Sequence, residues 1–159
     1  MSAGHTPTIL QSQIVDVEFG PGVRVVSPVN LYGCRIGAGT FIGPFTEIQK
    51  DVRIGSNCRI QSHSFICELV TIGNDCTVAH GVMFINDRYE GGGPARGDRS
   101  KWRATSVGDG VSIGSNATIL PVSIAAGTVI GAGAVVTRDI VQPGVYVGNP
   151  ARLLRKLTE

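Results

Sequence analysis

Residues 36–84 read IGAGTFIGPFTEIQKDVRIGSNCRIQSHSFICELVTIGNDCTVAHGVMF, and an apolar side chain falls at every sixth position: Ile36, Ile42, Ile48, Ile54, Ile60, Ile66, Ile72, Val78 and Phe84. Neither a helical period of 3.6 nor a strand period of 2 produces that interval. A six-residue period predicts a β-solenoid whose coils stack on one another. The fourth residue after each apolar one is restricted too: Thr40, Thr46, Val52, Cys58, Ser64, Val70, Cys76 and Val82. All are small or β-branched, as side chains turned into a narrow interior near a corner must be.

A longer period lies over the first. Gly37, Gly55 and Gly73 recur at eighteen-residue intervals, while the positions six further on are Gly43, Gln61 and Ala79, and those twelve further on are Gln49, Cys67 and Ile85. Three sides of six residues make one coil, so the expected solid is a triangular prism with apolar ladders along its axis. The glycine corner is expected to need positive φ.

Working outward, the 159 residues predict one domain spanning 1–159. Glycine is abundant (22), aromatics are sparse (6%), and a net charge of +2 is too weak to argue for nucleic acid. No apolar run has the length of a membrane span, and Met1–Gln13 lacks the charged start and apolar core of a signal peptide. The expectation is a cytoplasmic protein with no membrane partner, residues 1–13 forming a lead-in. Ile14–Leu31 is a less regular first part of the prism, with Pro21 and Pro28 at turns.

The pattern breaks at residues 86–106, NDRYEGGGPARGDRSKWRATS, and resumes at Val107. An insertion of that length is functional or disordered. Regular positions follow at Val107, Ile113, Ile119, Ile124, Ile130 and Val136, with one short step across Leu120–Ser123. Val145–Pro150 leaves the prism. Residues 151–159 form the tail, and Ala151–Leu157 is predicted as a short helix, since proline suits a helix's first turn. Leu153, Leu154 and Leu157 would cap the last coil.

Of the four cysteines, Cys58 and Cys76 fall one coil apart at the same corner. Their spacing of about 4.8 Å is compatible with a disulfide, but a reducing cytosol argues against it. Cys34 and Cys67 have no zinc-like spacing. All four are expected to be small buried core residues.

The inserted loop carries Arg88, Arg96, Arg99, Lys101 and Arg103 against Asp87, Glu90 and Asp98. This reads either as a solvated excursion or as a basic flap over phosphates, since guanidinium matches phosphate oxygens. Trp102 is expected to pack on a neighbouring subunit. Counting coils aligns Asn86, Pro121 and Arg138 along one edge, about 4.8 Å apart. An extended ligand there would meet polar groups at one end and a cation at the other. Coenzyme A, a thiol arm ending in a phosphate-rich nucleotide, has that shape. Pro121 and Arg138, with Arg152, are the candidate cofactor-binding residues.

The repeats, the loop after FIND, the ILPVSIAAGTVIGAGAVVTRD segment and the GNPAR ending together resemble the hexapeptide-repeat acyltransferases, and among them the acetyl-CoA-dependent N-acetyltransferases of nucleotide-linked amino sugars. The resemblance implies a left-handed parallel β-helix, all-β apart from the short C-terminal helix. It also implies a homotrimer, acetyl-CoA bound in a groove between subunits without a metal, and a nucleotide-linked 3-amino sugar destined for bacterial surface glycans.

His80 and His63 fall on one turn, a coil apart, and a histidine is a natural base for an amine nucleophile. Alternatively the amine attacks with no protein base and the departing thiolate takes the proton. Asn86 is expected to orient the amine. Asp87, His63 and Arg88 are candidate substrate contacts, Asp87 holding the amine or a sugar hydroxyl, or else only starting the turn. Two other readings compete. A γ-carbonic-anhydrase-like site needs three histidine ligands, and the only histidines are His5, His63 and His80, with His5 in the lead-in. A non-catalytic trimeric binding or assembly module is the other, because fold does not dictate function.

Overall fold

A computed structural model describes residues 13–157, so the expected lead-in lies almost wholly outside the described residues. The chain forms a left-handed triangular β-helix of about seven coils. Its first face has seven strands, from Ile14–Val15 to Val135–Val136; the second has six, from Glu18–Phe19 to Ser123–Ile124; the third has eight, from Arg24–Val25 to Arg152–Arg155. Neighbouring strands are parallel in every pairing but the last. The register follows the eighteen-residue repeat, as in Ile36↔Ile54, Ile42↔Ile60 and Ile48↔Ile66. After Leu120–Ser123 it drops by one, giving Val107↔Ile124 and Ile119↔Val136.

Every apolar position of the hexapeptide ladder is buried, from Ile36 to Phe84 and from Val107 to Val136. The restricted fourth positions are buried as well, and hydrogen bonding shows why several of them are polar. Thr40 Oγ1 donates to Gly55 O (2.9 Å), Cys58 Sγ to Gly73 O (3.1 Å) and Ser64 Oγ to Ala79 O (3.0 Å). Each reaches a carbonyl fifteen residues on, at a corner of the next coil. Cys76 Sγ makes the same bond to Gly108 O across 32 residues. Buried corner carbonyls without a ladder partner would otherwise be costly.

The glycine corner arises for a different reason from the one expected. Gly37, Gly55 and Gly73 do not have positive φ; that conformation falls two residues later, at Gly39, Asn57 and Asp75. What excludes a side chain at Gly55 is the coil above. A Cβ there would lie 2.6 Å from the Gly73 carbonyl carbon and oxygen.

The C-terminal segment also departs from expectation. Arg152–Arg155 is a strand, not a helix, paired antiparallel with Val145–Val147. The latter strand extends the third face in parallel with Val129–Ile130, and the reversal at Gly148 (φ 91°) brings the chain back along its open edge. A strand covers that edge with ladder hydrogen bonds, which a helix cannot do. Leu153 lies against Gly144 and Tyr146, whereas Leu154 is 64% exposed and Leu157 is also exposed, so the leucines do not cap the coil together.

The four cysteines are buried and free. Burial raises the Cys34 thiol to about 11 and the Cys67 thiol to about 12, from an ordinary 9.0. Because the folded values lie above the unfolded one, the neutral thiols favour the fold fully below pH 9 and lose that contribution as pH climbs toward 11–12. A urea midpoint that falls over this range, and falls less in Cys34→Ala, is the expected result. Gly55→Ala should destabilise by about 1–3 kcal/mol, the usual cost of overpacking, while Gly91→Ala, with nothing within 4 Å of its Cβ, should be neutral in the same urea titration.

Candidate functional site

The edge after the first face brings together what coil counting predicted. Phe84↔Ile119 and Ile119↔Val136 are register partners, so Asn86, Pro121 and Arg138 stand in one column, about 4.8 Å per coil. One coil before Asn86 is Glu68. Asn86 Nδ2 donates to the Glu68 carbonyl (3.3 Å), which ties the start of the inserted loop to the prism.

The loop folds back over this edge. Asp87 and Trp102 pair as an antiparallel bridge, and Arg103 N donates to Asn86 O (2.9 Å), closing its neck. Asp87 Oδ2 accepts from Ala95 N (2.6 Å) and Oδ1 from Tyr89 N (2.9 Å). Those two bonds, Ala95 first, hold its carboxyl below the usual range. Both oxygens are therefore engaged by the loop's backbone, which supports the turn role weighed for Asp87. Arg88 Nη2 donates to the Pro121 carbonyl and so bridges the loop to the edge.

Three of the flap's five basic side chains meet carboxylates, on the prism or in the flap itself. Arg99 Nη2 donates to Asp51 Oδ2 (2.7 Å) and stands 3.0 Å from Glu68 Oε2; Arg103 pairs with Glu90 (3.0 Å) and Lys101 lies 3.8 Å from Asp98. The hydrogen bond from Arg99 holds the Asp51 carboxyl low. Trp102 has partial cover within its own chain. It is half-buried, with the Arg99 guanidinium 6.0 Å from its ring centre, and it lines a cavity of the same chain.

That cavity, about 430 Å³, lies beneath the loop. Tyr32, Gln49, Phe65, Cys67, Glu68 and Asn86 form its floor, and Asp87, Tyr89 and Trp102 its roof. A second cavity of about 210 Å³ lies further along the edge and is lined by both Arg138 and Arg152 together with Tyr146 and Leu153. Arg152 reaches it because residues 152–155 run as a strand along the third face.

The histidines stand apart from Asn86. His80 Nδ1 is 2.9 Å from Ser62 Oγ, and His63, at φ 62°, stacks on Phe45 (centroids 4.8 Å). Ser62, not His63, is the residue aligned with His80, since Gly81 N donates to Ser62 O and Asn116 N to His80 O. Both histidines occupy the corner before the first face, and Asn86 the corner after it. A strand's length of chain, roughly 15 Å, separates His80 from Asn86 within one protomer, so the structure does not bring these two candidates together.

Sequence reasoning missed Glu68, Gln49 and the aromatic walls Tyr32, Phe65 and Tyr89. The signal for Glu68 was present, because the eighteen-residue period that aligned Asn86 with Pro121 also places Glu68 one coil before Asn86. Among the described residues no three histidine, cysteine or acidic side chains converge as a metal site, and His5 lies outside them. No helix among them is long and apolar enough to cross a membrane.

Residues 33–68 match the family described as bacterial transferase hexapeptide (six repeats), and residues 104–138 match the hexapeptide repeat of succinyl-transferase. Both stretches carry the hexapeptide repeat of bacterial transferases, one on each side of the inserted loop. Among curated proteins it is similar to the bifunctional protein GlmU of Pelotomaculum thermopropionicum, 32% identical over 118 residues, which is 69% of this chain and 25% of that protein. GlmU of Clostridium novyi is 33% identical over 117 residues. The chain thus spans about a quarter of the length of these relatives. Among solved structures it resembles AntD, an N-acyltransferase from Bacillus cereus in complex with dTDP and 3-hydroxybutyryl-CoA, with a TM-score of 0.77 at 21% identity, covering 90% of this chain and 84% of that one. A hexapeptide-repeat acetyltransferase from Vibrio cholerae O1 biovar eltor, complexed with acetyl coenzyme A, gives 0.68 at 24% identity, covering 80% and 72%.

The Asp87 bonds and the Arg99–Asp51 pair are the loop's fastenings. Asp87→Ala should leave the prism's melting temperature nearly unchanged and accelerate protease cleavage at the exposed Gly91–Gly93 stretch, because local opening there no longer breaks a fixed turn. Limited proteolysis followed by mass spectrometry reads the site of cleavage directly.

Proposed function

We propose that the protein transfers the acetyl group of acetyl-CoA to the amino group of a nucleotide-linked amino sugar, a 3-amino sugar on the resemblance noted above, for bacterial surface-glycan synthesis. One observation carries the reading. A cavity beside Asn86 and a second one lined by Arg138 and Arg152 stand in line along one edge of the prism, two coils apart. The aromatic-walled cavity suits a sugar and its reacting amine. The cationic one suits the phosphates or adenine of coenzyme A. The fold shared with an N-acyltransferase whose complex holds dTDP and an acyl-CoA supports it.

In this reading Asn86 orients the amine toward the thioester carbon. The C–N bond forms as the C–S bond breaks, and the thiolate takes up the nitrogen's proton. His80 is too far along the face to act on the same substrate in one protomer, and serves as a base only if a neighbouring copy presents it. The protein works as a homotrimer with the groove between copies. Exposed Phe45 (58%) and Met83 (43%), at and on the first face, support that assembly, and closed threefold symmetry is a common solution. Four free buried thiols, two of them in adjacent coils, suit a reducing cytoplasm.

Light scattering at micromolar concentration should report three copies; a monomer would count against the shared groove. Arg138→Ala should raise the KM for acetyl-CoA and leave kcat nearly intact, the signature of lost uniform binding. Asn86→Ala should lower kcat by up to about a hundredfold, an orientation loss, with little change in cofactor affinity. His80→Asn should be milder. A thiol-release assay with acetyl-CoA against UDP- and dTDP-linked amino sugars tests the function itself, and a near-inactive His80→Asn beside a normal Asn86→Ala would restore a histidine base.

A further inference from the structure

We propose that Glu68 selects an amine over a hydroxyl acceptor, by presenting its carboxylate to the substrate's amino group in the cavity beneath the loop. The inference rests on the acetyl-transfer reading above and deepens it at the same site.

The Glu68 main chain is held on both sides. Its carbonyl accepts from Asn86 Nδ2 (3.3 Å), and its N–H donates to Gln49 Oε1 (3.4 Å). The backbone that carries the carboxylate is thereby tied to Asn86, the residue assigned to orient the nucleophile. Its side chain is only 16% exposed, and Oε2 is shielded from solvent with no hydrogen bond. A shielded carboxylate oxygen whose one near donor is a guanidinium shared with Asp51 keeps hydrogen-bonding capacity to satisfy. Arg99 Nη2 stands 3.0 Å away, but its hydrogen bond goes to Asp51 Oδ2 at 2.7 Å. Arg99 therefore balances the charge without filling the oxygen's hydrogen-bonding capacity, and it keeps a partner in Asp51 when a ligand takes Glu68.

The surroundings narrow the ligand. Tyr32, Phe65 and Trp102 offer flat apolar walls suited to a sugar ring, and Gln49 and Asn86 add amide groups. Burial, then the charges of Glu47 and Glu68, raise the Tyr32 phenol and keep it neutral. The acidic residues lining the cavity are Glu68 and Asp87, and both Asp87 oxygens already accept from backbone N–H groups. An amino group binds the carboxylate as ammonium, with N–H donors and a positive charge. It gives its extra proton to water before it attacks, so the thiolate takes up only the proton released as the C–N bond forms. A hydroxyl carries one donor and two acceptor lone pairs and no charge. Both ligands donate to the carboxylate, but only the ammonium brings a full opposite charge into a site shielded from water, so the carboxylate discriminates by charge rather than by shape.

The test is calorimetric binding, with coenzyme A present, of dTDP-linked 3-amino and 4-amino sugars and of the same nucleotide sugars bearing hydroxyl at that carbon. Wild-type protein should prefer an amino form by at least about tenfold. Glu68→Gln should abolish the preference by weakening the amino sugar alone, leaving hydroxy-sugar and coenzyme A affinities and the melting temperature unchanged. Glu68→Asp, which keeps the charge on a shorter arm, should restore part of it. A Glu68→Gln protein that retains the preference overturns the assignment and leaves the acetyl-transfer reading standing. A wild-type protein that binds coenzyme A but no nucleotide-linked amino sugar overturns the acceptor reading and this inference with it.

Discussion

Everything in this molecule depends on one coil meeting the next in register. The backbone ladder supplies most of the contacts, but strands of two or three residues leave a corner after every side. The corner carbonyls that face inward are met by short side chains fifteen residues earlier: Thr40 to Gly55, Cys58 to Gly73, Ser64 to Ala79. The same reach limits both chemistry and size. A longer side chain would not fit the narrow interior, and a purely apolar one would leave the carbonyl bare unless the ladder served it. This is why small residues, several of them polar, recur at these positions.

The constraint also explains how a long loop is tolerated. The link from Cys76 to Gly108 spans 32 residues where its counterparts span 15, so the chain adds 17 residues and then takes up the coil where it stopped. Thr105–Val107 pairs with Val70–Ile72 as if nothing intervened. A solenoid needs only nearest-neighbour coils to agree, so an excursion at one corner costs the rest nothing in register. The excursion is then free to fold over the edge it leaves, where Arg99 joins it to Asp51 and Asp87 shapes its neck.

Function follows from the same stacking. An edge of a β-helix displays one residue per coil at a fixed rise, which is a ruler for an extended ligand. Asn86, Pro121 and Arg138 lie on that ruler, and Arg152 is delivered to it by the terminal strand. The loop converts the open edge at Asn86 into a cavity with aromatic walls. Three of the loop's five basic side chains, Arg99, Lys101 and Arg103, meet carboxylates within the chain, and Glu68 keeps hydrogen-bonding capacity to spare.

The hexapeptide and eighteen-residue periods by themselves determined the prism, its buried ladders, the insertion point and the column through Asn86, because periodicity in a solenoid is spatial alignment. They also contained Glu68, one period before Asn86. Three things were decided only by tertiary contact. Gly37, Gly55 and Gly73 are glycine because the next coil's backbone occupies the place of a Cβ, a steric fact invisible to local conformational reasoning. Residues 152–155 read as a helix on local grounds, yet an open strand edge offered ladder bonds that a helix would have forgone. The partners of the loop's arginines lie up to 48 residues away in sequence, so which charges stay available for a ligand depended on where the loop came to rest.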